Sequence, residues 1–233
     1  MIEKTLKTTH GKIRVRIPTV MNELTVGQLM AMQEQQNLDD MDAISILSGV
    51  PKKDLYTVKD ITDFLVFGDY VLSLSHQIRY LYNSDVIPHW ITFTLNEKKV
   101  TVGVLRNLSV EPAGAFLAAR DIIADEINEH INLYGEEDWK EHFQPSLKSC
   151  CQVLAQYFFC RATGKRYDEY EAEAFCEEIK KLRVMEALPI AKHFFTCYPN
   201  LLKQKISFSQ RLHQYWRGKL VSRRLKSSNT SIQ

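Results

Sequence analysis

Lys12-Ile13-Arg14-Val15-Arg16-Ile17-Pro18, followed by Thr25-Val26-Gly27-Gln28, sets the fold class of this 233-residue chain. Ile13, Val15 and Ile17 alternate with Lys12, Arg14 and Arg16, and a period of two predicts a strand with one face on a core. Pro18 closes it, because proline has no N–H to give to a ladder. Ile2 to Lys7 lies upstream across His10-Gly11, so the strand belongs to a short hairpin. Thr25 and Gln28 then have the spacing of a capping box, in which each side chain bonds the other residue's backbone N–H. A strand therefore gives way to a helix within a dozen residues.

Downstream the helical signals continue. A helix runs from Thr25 to about Gln36. A second begins at the acids Asp39, Asp40 and Asp42, where negative charge suits the helix dipole, and stops at Ser48-Gly49-Val50-Pro51. Thr57-Val-Lys-Asp60 caps a third, which carries Ile61, Phe64, Leu65, Val71, Leu72 and Leu74 around Gly68. Trp90 to Leu95 and Lys99 to Leu105 alternate on either side of Asn96-Glu97-Lys98 and read as a second hairpin. Further helices are expected over Glu111 to Leu133 (stopped by Gly135), Ser146 to Arg161, Asp168 to Leu182, and Val184 to Cys197. Pro189 should kink the last of these or mark its start. Two strand-to-helix junctions look alike, at Leu24-Thr25-Val26 and Leu108-Ser109-Val110, through duplication or through two ordinary caps. The expected class is mainly α with two small antiparallel β-hairpins (α+β). Its segments are 1–87 (hairpin plus helices), 88–206 (second hairpin plus helical bundle) and 207–233 (basic amphipathic helix and polar tail), separate or forming one compact unit.

Composition narrows the function. With 45% hydrophobic and 25% charged residues the chain can bury a real core. Its purely apolar runs, such as Phe64 to Phe67 and Tyr157 to Cys160, fall far short of the roughly 20 residues of a membrane span. Met1-Ile2-Glu3-Lys4 opens without an apolar signal core, which places the protein in a cytoplasm or in a particle assembled there. Cys150, Cys151, Cys160, Cys176 and Cys197 are odd in number and form no CxxC pair, so buried reduced thiols are expected rather than disulfides or zinc.

Catalytic patterns are weak throughout. Glu126/His130 and Asp138/His142 have i,i+4 spacing, but without further ligands they read as solvated ion pairs on helix faces. Gly164-Lys165 lacks the preceding glycine of a phosphate loop, and no GxSxG elbow occurs. His193 beside Phe194-Phe195 reads as a packed core histidine. The cysteines lie among apolar helical neighbours, which raises a thiol's pKa and quiets it. No enzymatic activity, cofactor or metal is expected.

Charge is distributed unevenly. No acid follows Glu186, whereas nine Lys or Arg do, and the first 186 residues carry a balance of −7. Within 207–226, Phe208, Leu212, Tyr215, Trp216 and Leu220 recur at helical spacing among basic residues. The candidate partner-binding residues are Arg211, Tyr215, Trp216, Arg217, Lys219, Arg223, Arg224 and Lys226. Such a helix packs on its own domain, docks in a protein groove, lies on an anionic membrane or touches nucleic-acid phosphates.

Leu24-Thr-Val-Gly-Gln-Leu29, Asp42-Ala-Ile-Ser-Ile-Leu-Ser-Gly-Val-Pro51 and Asp60-Ile-Thr-Asp-Phe64 carry a resemblance. They are similar to the "LTLGQ" and "ILTGIP" segments of small proteins encoded in bacteriophage tail modules. Tyr167-Asp168, Ala187-Leu-Pro-Ile190 and His193-Phe194-Phe195 extend the likeness, which covers roughly 12–80 and 145–197. Proteins of that group are tail-assembly chaperones, baseplate-hub assembly proteins or small structural tail parts. The resemblance implies a non-catalytic tail morphogenesis protein acting by protein–protein binding, in the virion tail or in the host cytoplasm during assembly. Its partners would be neighbouring copies of itself, a tape-measure protein, or hub or portal-proximal proteins. The alternatives are a soluble chaperone absent from the virion and a nucleic-acid-binding accessory protein using the basic C-terminal helix.

Overall fold

The structure, a computed structural model, describes residues 1–78, 80–138 and 143–197. The segment 207–226 and His142 therefore lie outside the described residues. The class is mainly α with two small antiparallel hairpins.

Strands β1 (Ile2–Thr8) and β2 (Gly11–Ile17) pair across a Thr9-His10 turn, with Leu6 opposite Ile13 and Lys4 opposite Val15. Leu6, Val15 and Ile17 are fully buried and Ile13 is half-buried, while Lys12, Arg14 and Arg16 are exposed. A 3-10 turn at Met21–Glu23 leads into α1 (Val26–Gln33). Its capping box is complete: Gln28 N donates to Thr25 Oγ1 at 3.2 Å and Thr25 N to Gln28 Oε1 at 3.0 Å. Gln28 Nε2 also reaches the Leu47 carbonyl (2.8 Å), near the end of α2 (Asp40–Ser48). After the single turn α3 (Lys52–Leu55) and a 3-10 turn at Ile61–Phe64 comes α4 (Leu65–Ile78).

The second hairpin is β3 (Trp90–Leu95) with β4 (Lys98–Gly103). Its turn is the two residues Asn96 and Glu97, both left-handed with φ of 48° and 64°, a combination that follows the strand twist. Lys98, expected in the loop, is the first residue of the return strand. Leu108–Val110 forms a 3-10 turn, as Met21–Glu23 does before α1, and the next helix begins at Ala113.

Helix α5 (Ala113–Asp138) starts just after Pro112 and loses helical geometry at Gly135, where φ is 86°. Helix α6 (Leu147–Thr163) is the centre of the bundle: α5, α7 (Glu169–Ala174), α8 (Cys176–Ile179) and α9 (Val184–Cys197) all pack on it. The expected helix from Asp168 to Leu182 is thus two short ones, hinged at Phe175, which packs against Phe93 and Phe159. Helix α9 runs through Pro189 without ending.

One core spans Leu6 to Phe195. The halves clasp where α1 begins: Val26 N and Gly27 N donate to the Leu182 and Lys180 carbonyls at 2.9 and 2.8 Å, and Val184 N donates back to Leu24 O at 2.8 Å. Two N–H groups that a helix start leaves unpaired are satisfied by a distant turn. Gly27 permits the approach, since a Cβ there would stand 3.1 Å from Lys180 Cβ. No helix among the described residues is long and apolar enough to cross a membrane.

Candidate protein-binding surface

Helix α4 has two apolar faces. Asp60 starts the segment by accepting from Thr62 N at 2.9 Å and Thr62 Oγ1 at 2.6 Å. Phe64, Phe67, Val71, Leu74 and Ile78 then recur at alternating steps of three and four and face the core, with Phe67 and Leu74 wholly buried. Met21 N donates to Gln77 Oε1 at 3.3 Å, and Lys4 pairs with Asp63 at 2.9 Å, which fix the helix on β1 and the turn before α1.

A second row, Ile61, Leu65, Gly68 and Leu72, follows the same steps about 100° further round the helix. Ile61 is 78% exposed, Leu65 68% and Leu72 60%, with Val66 beside them at 40%. Asp69, Ser73 and His76 lie on this side and are also exposed. The sequence reading put Ile61, Leu65 and Leu72 in one list with Phe64, Val71 and Leu74, whereas the fold separates them. The separation was legible in the spacing, because two rows of i,i+4,i+7 periodicity offset on one helix cannot face the same way.

A cavity of about 390 Å³ lies beside the end of α9, lined by Asp85, Ile87, Pro189, Lys192, His193 and Thr196. Lys192 pairs there with Asp85 at 2.6 Å and donates to the Tyr82 carbonyl at 2.9 Å. His193 Nε2 sits 3.2 Å from Arg106 O. Cys197 Sγ is 3.5 Å from Nδ1 and 3.7 Å from Nε2. His193 is half-buried on a cavity wall, not in the core, and Cys197 is exposed, not packed.

The other thiols divide as well. Cys150 and Cys151 are buried, and Cys160 and Cys176 are half-buried. Burial pushes the Cys150 thiol up. Cys151, lying against Cys176 with its Sγ 3.4 Å from that residue's carbonyl, is also raised, by that contact and by burial. Cys176 goes the other way, held below the ordinary thiol value by the Cys151 thiol beside it.

Glu126 is another correction. It is 5% exposed and makes no solvated ion pair with His130, whose Nδ1 lies 3.0 Å from the Glu126 backbone carbonyl. The carboxylate instead caps α6, accepting from Ser146 N, from Ser146 Oγ at 3.0 Å and from Ser149 Oγ. Among the described residues no group of three His, Cys, Asp or Glu side chains is placed to hold a metal. Arg211, Tyr215, Trp216, Arg217, Lys219, Arg223, Arg224 and Lys226 lie outside the described residues. Comparison with protein-family models, curated proteins and solved structures gives no match to this chain.

Proposed function

We propose that this chain is a non-catalytic protein of bacteriophage tail morphogenesis, which binds other tail proteins as a structural component of the virion or as an assembly factor. The observation that carries the reading is the exposed row of Ile61, Leu65 and Leu72 on α4 and the 3-10 turn before it, held in place by a buried row beside it. Contiguous apolar surface of this kind marks protein interaction sites. The resemblance of residues 24–29, 42–51 and 60–64 to tail-module proteins supplies the setting.

Magnitudes favour a repeated component over a lone chaperone. Burying three aliphatic side chains at about 2 kcal/mol each contributes roughly 6 kcal/mol. Association costs about 4 to 15 kcal/mol in lost rigid-body freedom. One copy binding through this row alone is weak, while copies arrayed in a ring bind the same partner with avidity.

Quantitative mass spectrometry of purified virions tests the reading. Recovery at a fixed stoichiometry identifies a tail component. Absence from virions, with the tape-measure protein captured from infected cells, identifies the assembly factor. Absence from virions with no tail protein bound contradicts both.

A further inference from the structure

We propose that the outer face of the β1–β2 hairpin docks on a row of carboxylates along α5 of a second copy of this chain, joining copies head to tail. The proposal deepens the tail-protein reading by naming a neighbour, and it rests on that reading for its setting.

The hairpin presents Glu3, Thr5 and Lys7 on β1 and Lys12, Arg14 and Arg16 on β2, all exposed, while Leu6, Val15 and Ile17 bury the other face. Four of these six side chains are cations. Lys59 adds a fifth beside them, because its N–H donates to the Lys7 carbonyl at 2.9 Å and it is exposed. The single acid, Glu3, is taken by Arg14 at 2.6 Å. Register makes the arrangement costly: Lys7 stands directly opposite Lys12, and like charges on one rung repel. Nothing in the packing of the hairpin requires these cations, since they point away from the core.

Helix α5 mirrors this with the opposite sign. Asp121, Asp125 and Glu129 are exposed, four residues apart, while Ala119, Ile123 and Ile127 are buried. Like charges at i,i+4 repel as well. Asp121 bonds Arg120 next to it at 3.0 Å, and among the described residues Asp125 and Glu129 have no ion-pair partner. Each surface is unfavourable alone and favourable against the other.

The spacings agree. Alternate residues of β2 stand about 6.8 Å apart, and residues four apart on a helix stand about 6 Å apart. Lys12, Arg14 and Arg16 therefore span about the same length as Asp121, Asp125 and Glu129, with Arg14 shared with Glu3 and Asp121 with Arg120. None of the described ion pairs joins the two rows within one chain: β2 packs on α2, while α5 packs on α6 and α7. Two different patches on one chain pair heterologously, which closes a ring when the rotation allows.

A two-stranded ribbon also fits a nucleic-acid groove. The body behind it argues against that partner. Eight of the 30 Lys and Arg follow Cys197, so residues 1–197 carry 22 against all 28 Asp and Glu, a balance of −6 that repels a polyanion.

The test is sedimentation velocity on the full chain, from about 50 mM to about 500 mM salt, with charge reversals on each side. Concentration-dependent association that weakens with salt is expected. Lys12→Glu with Arg16→Glu, or Asp125→Lys with Glu129→Lys, should each weaken it by at least about tenfold. The fourfold reversal should restore it, and equimolar mixing of the two double variants should give a heterodimer. Lys12→Gln with Arg16→Gln serves if a reversed chain misfolds, and should also weaken association. A chain monomeric under all conditions, or a fourfold reversal that restores nothing, overturns the proposal. So does loss of binding to a short DNA duplex on the hairpin reversal with self-association unchanged. A monomeric chain that is nonetheless present in virions sinks this contact and leaves the tail reading standing. Association through this pair, with absence from virions and no tail protein bound, does the reverse.

Discussion

Arg161 on α6 holds three elements at once. Its Nη1 donates to the Gly103 carbonyl of β4 at 2.7 Å, its Nε pairs with Glu111 ahead of α5 at 2.7 Å, and its guanidinium lies 4.3 Å above the Tyr157 ring. The Glu111 side chain is only 2% exposed, and burial raises its pKa against the opposing pull of Arg161. Arg161→Met should cost about 3 kcal/mol at neutral pH, because it strands a buried carboxylate. An acid with a raised folded-state pKa contributes stability that is present below its unfolded value and lost as pH rises through the folded one. The deficit of Arg161→Met should therefore shrink as pH falls toward the carboxylate range, read by urea unfolding of both chains at several pH values. Glu126→Ala should cost about 2 kcal/mol by leaving the Ser146 and Ser149 donors of α6 unpaired, visible as a lowered melting temperature. The role of Glu126 was partly legible: it continues the inward row Ala115, Ala119, Ile122, so spacing put it on the core side. Its partners were not legible, since Ser146 and Ser149 belong to another helix and only the tertiary fold brings them near.

Among the elements, those whose geometry is decided locally were the readable ones. The capping box at Thr25 and Gln28 and both hairpins follow from neighbouring residues alone. Thr25→Ala should cost about 1 kcal/mol by removing the acceptor at the start of α1, measured by chemical denaturation. The break at Phe175 was not readable, because it depends on aromatic packing against Phe93 and Phe159. Helix α4 lies between these cases, with its two rows written in the sequence but only their environments distinguishing core from surface. Gly68 sits in the outer row, and a Cβ there would meet nothing within 4 Å. Gly68→Ala should therefore stabilise the free protein by about 0.5 to 1 kcal/mol, read in the melting temperature. A bulky residue there should leave the fold intact and weaken the partner contact.

At the level of the whole molecule, the first helix and the last share one core, closed by the bonds between residues 24–27 and 180–184. That clasp holds the α4 row, the β1–β2 ribbon and the α5 carboxylates on a single frame. The basic segment 207–226 lies outside the described residues, whose surface offers the α4 row instead. The central claim is that the chain works through that apolar surface. Its most direct test places Leu65→Glu with Leu72→Glu in the phage-encoded copy and counts intact tails by electron microscopy. Both side chains are largely solvent-exposed, so the purified variant should keep its stability within about 0.5 kcal/mol. The account predicts a folded protein and few or no complete tails. Normal tail numbers from a folded, charge-bearing α4 would contradict it.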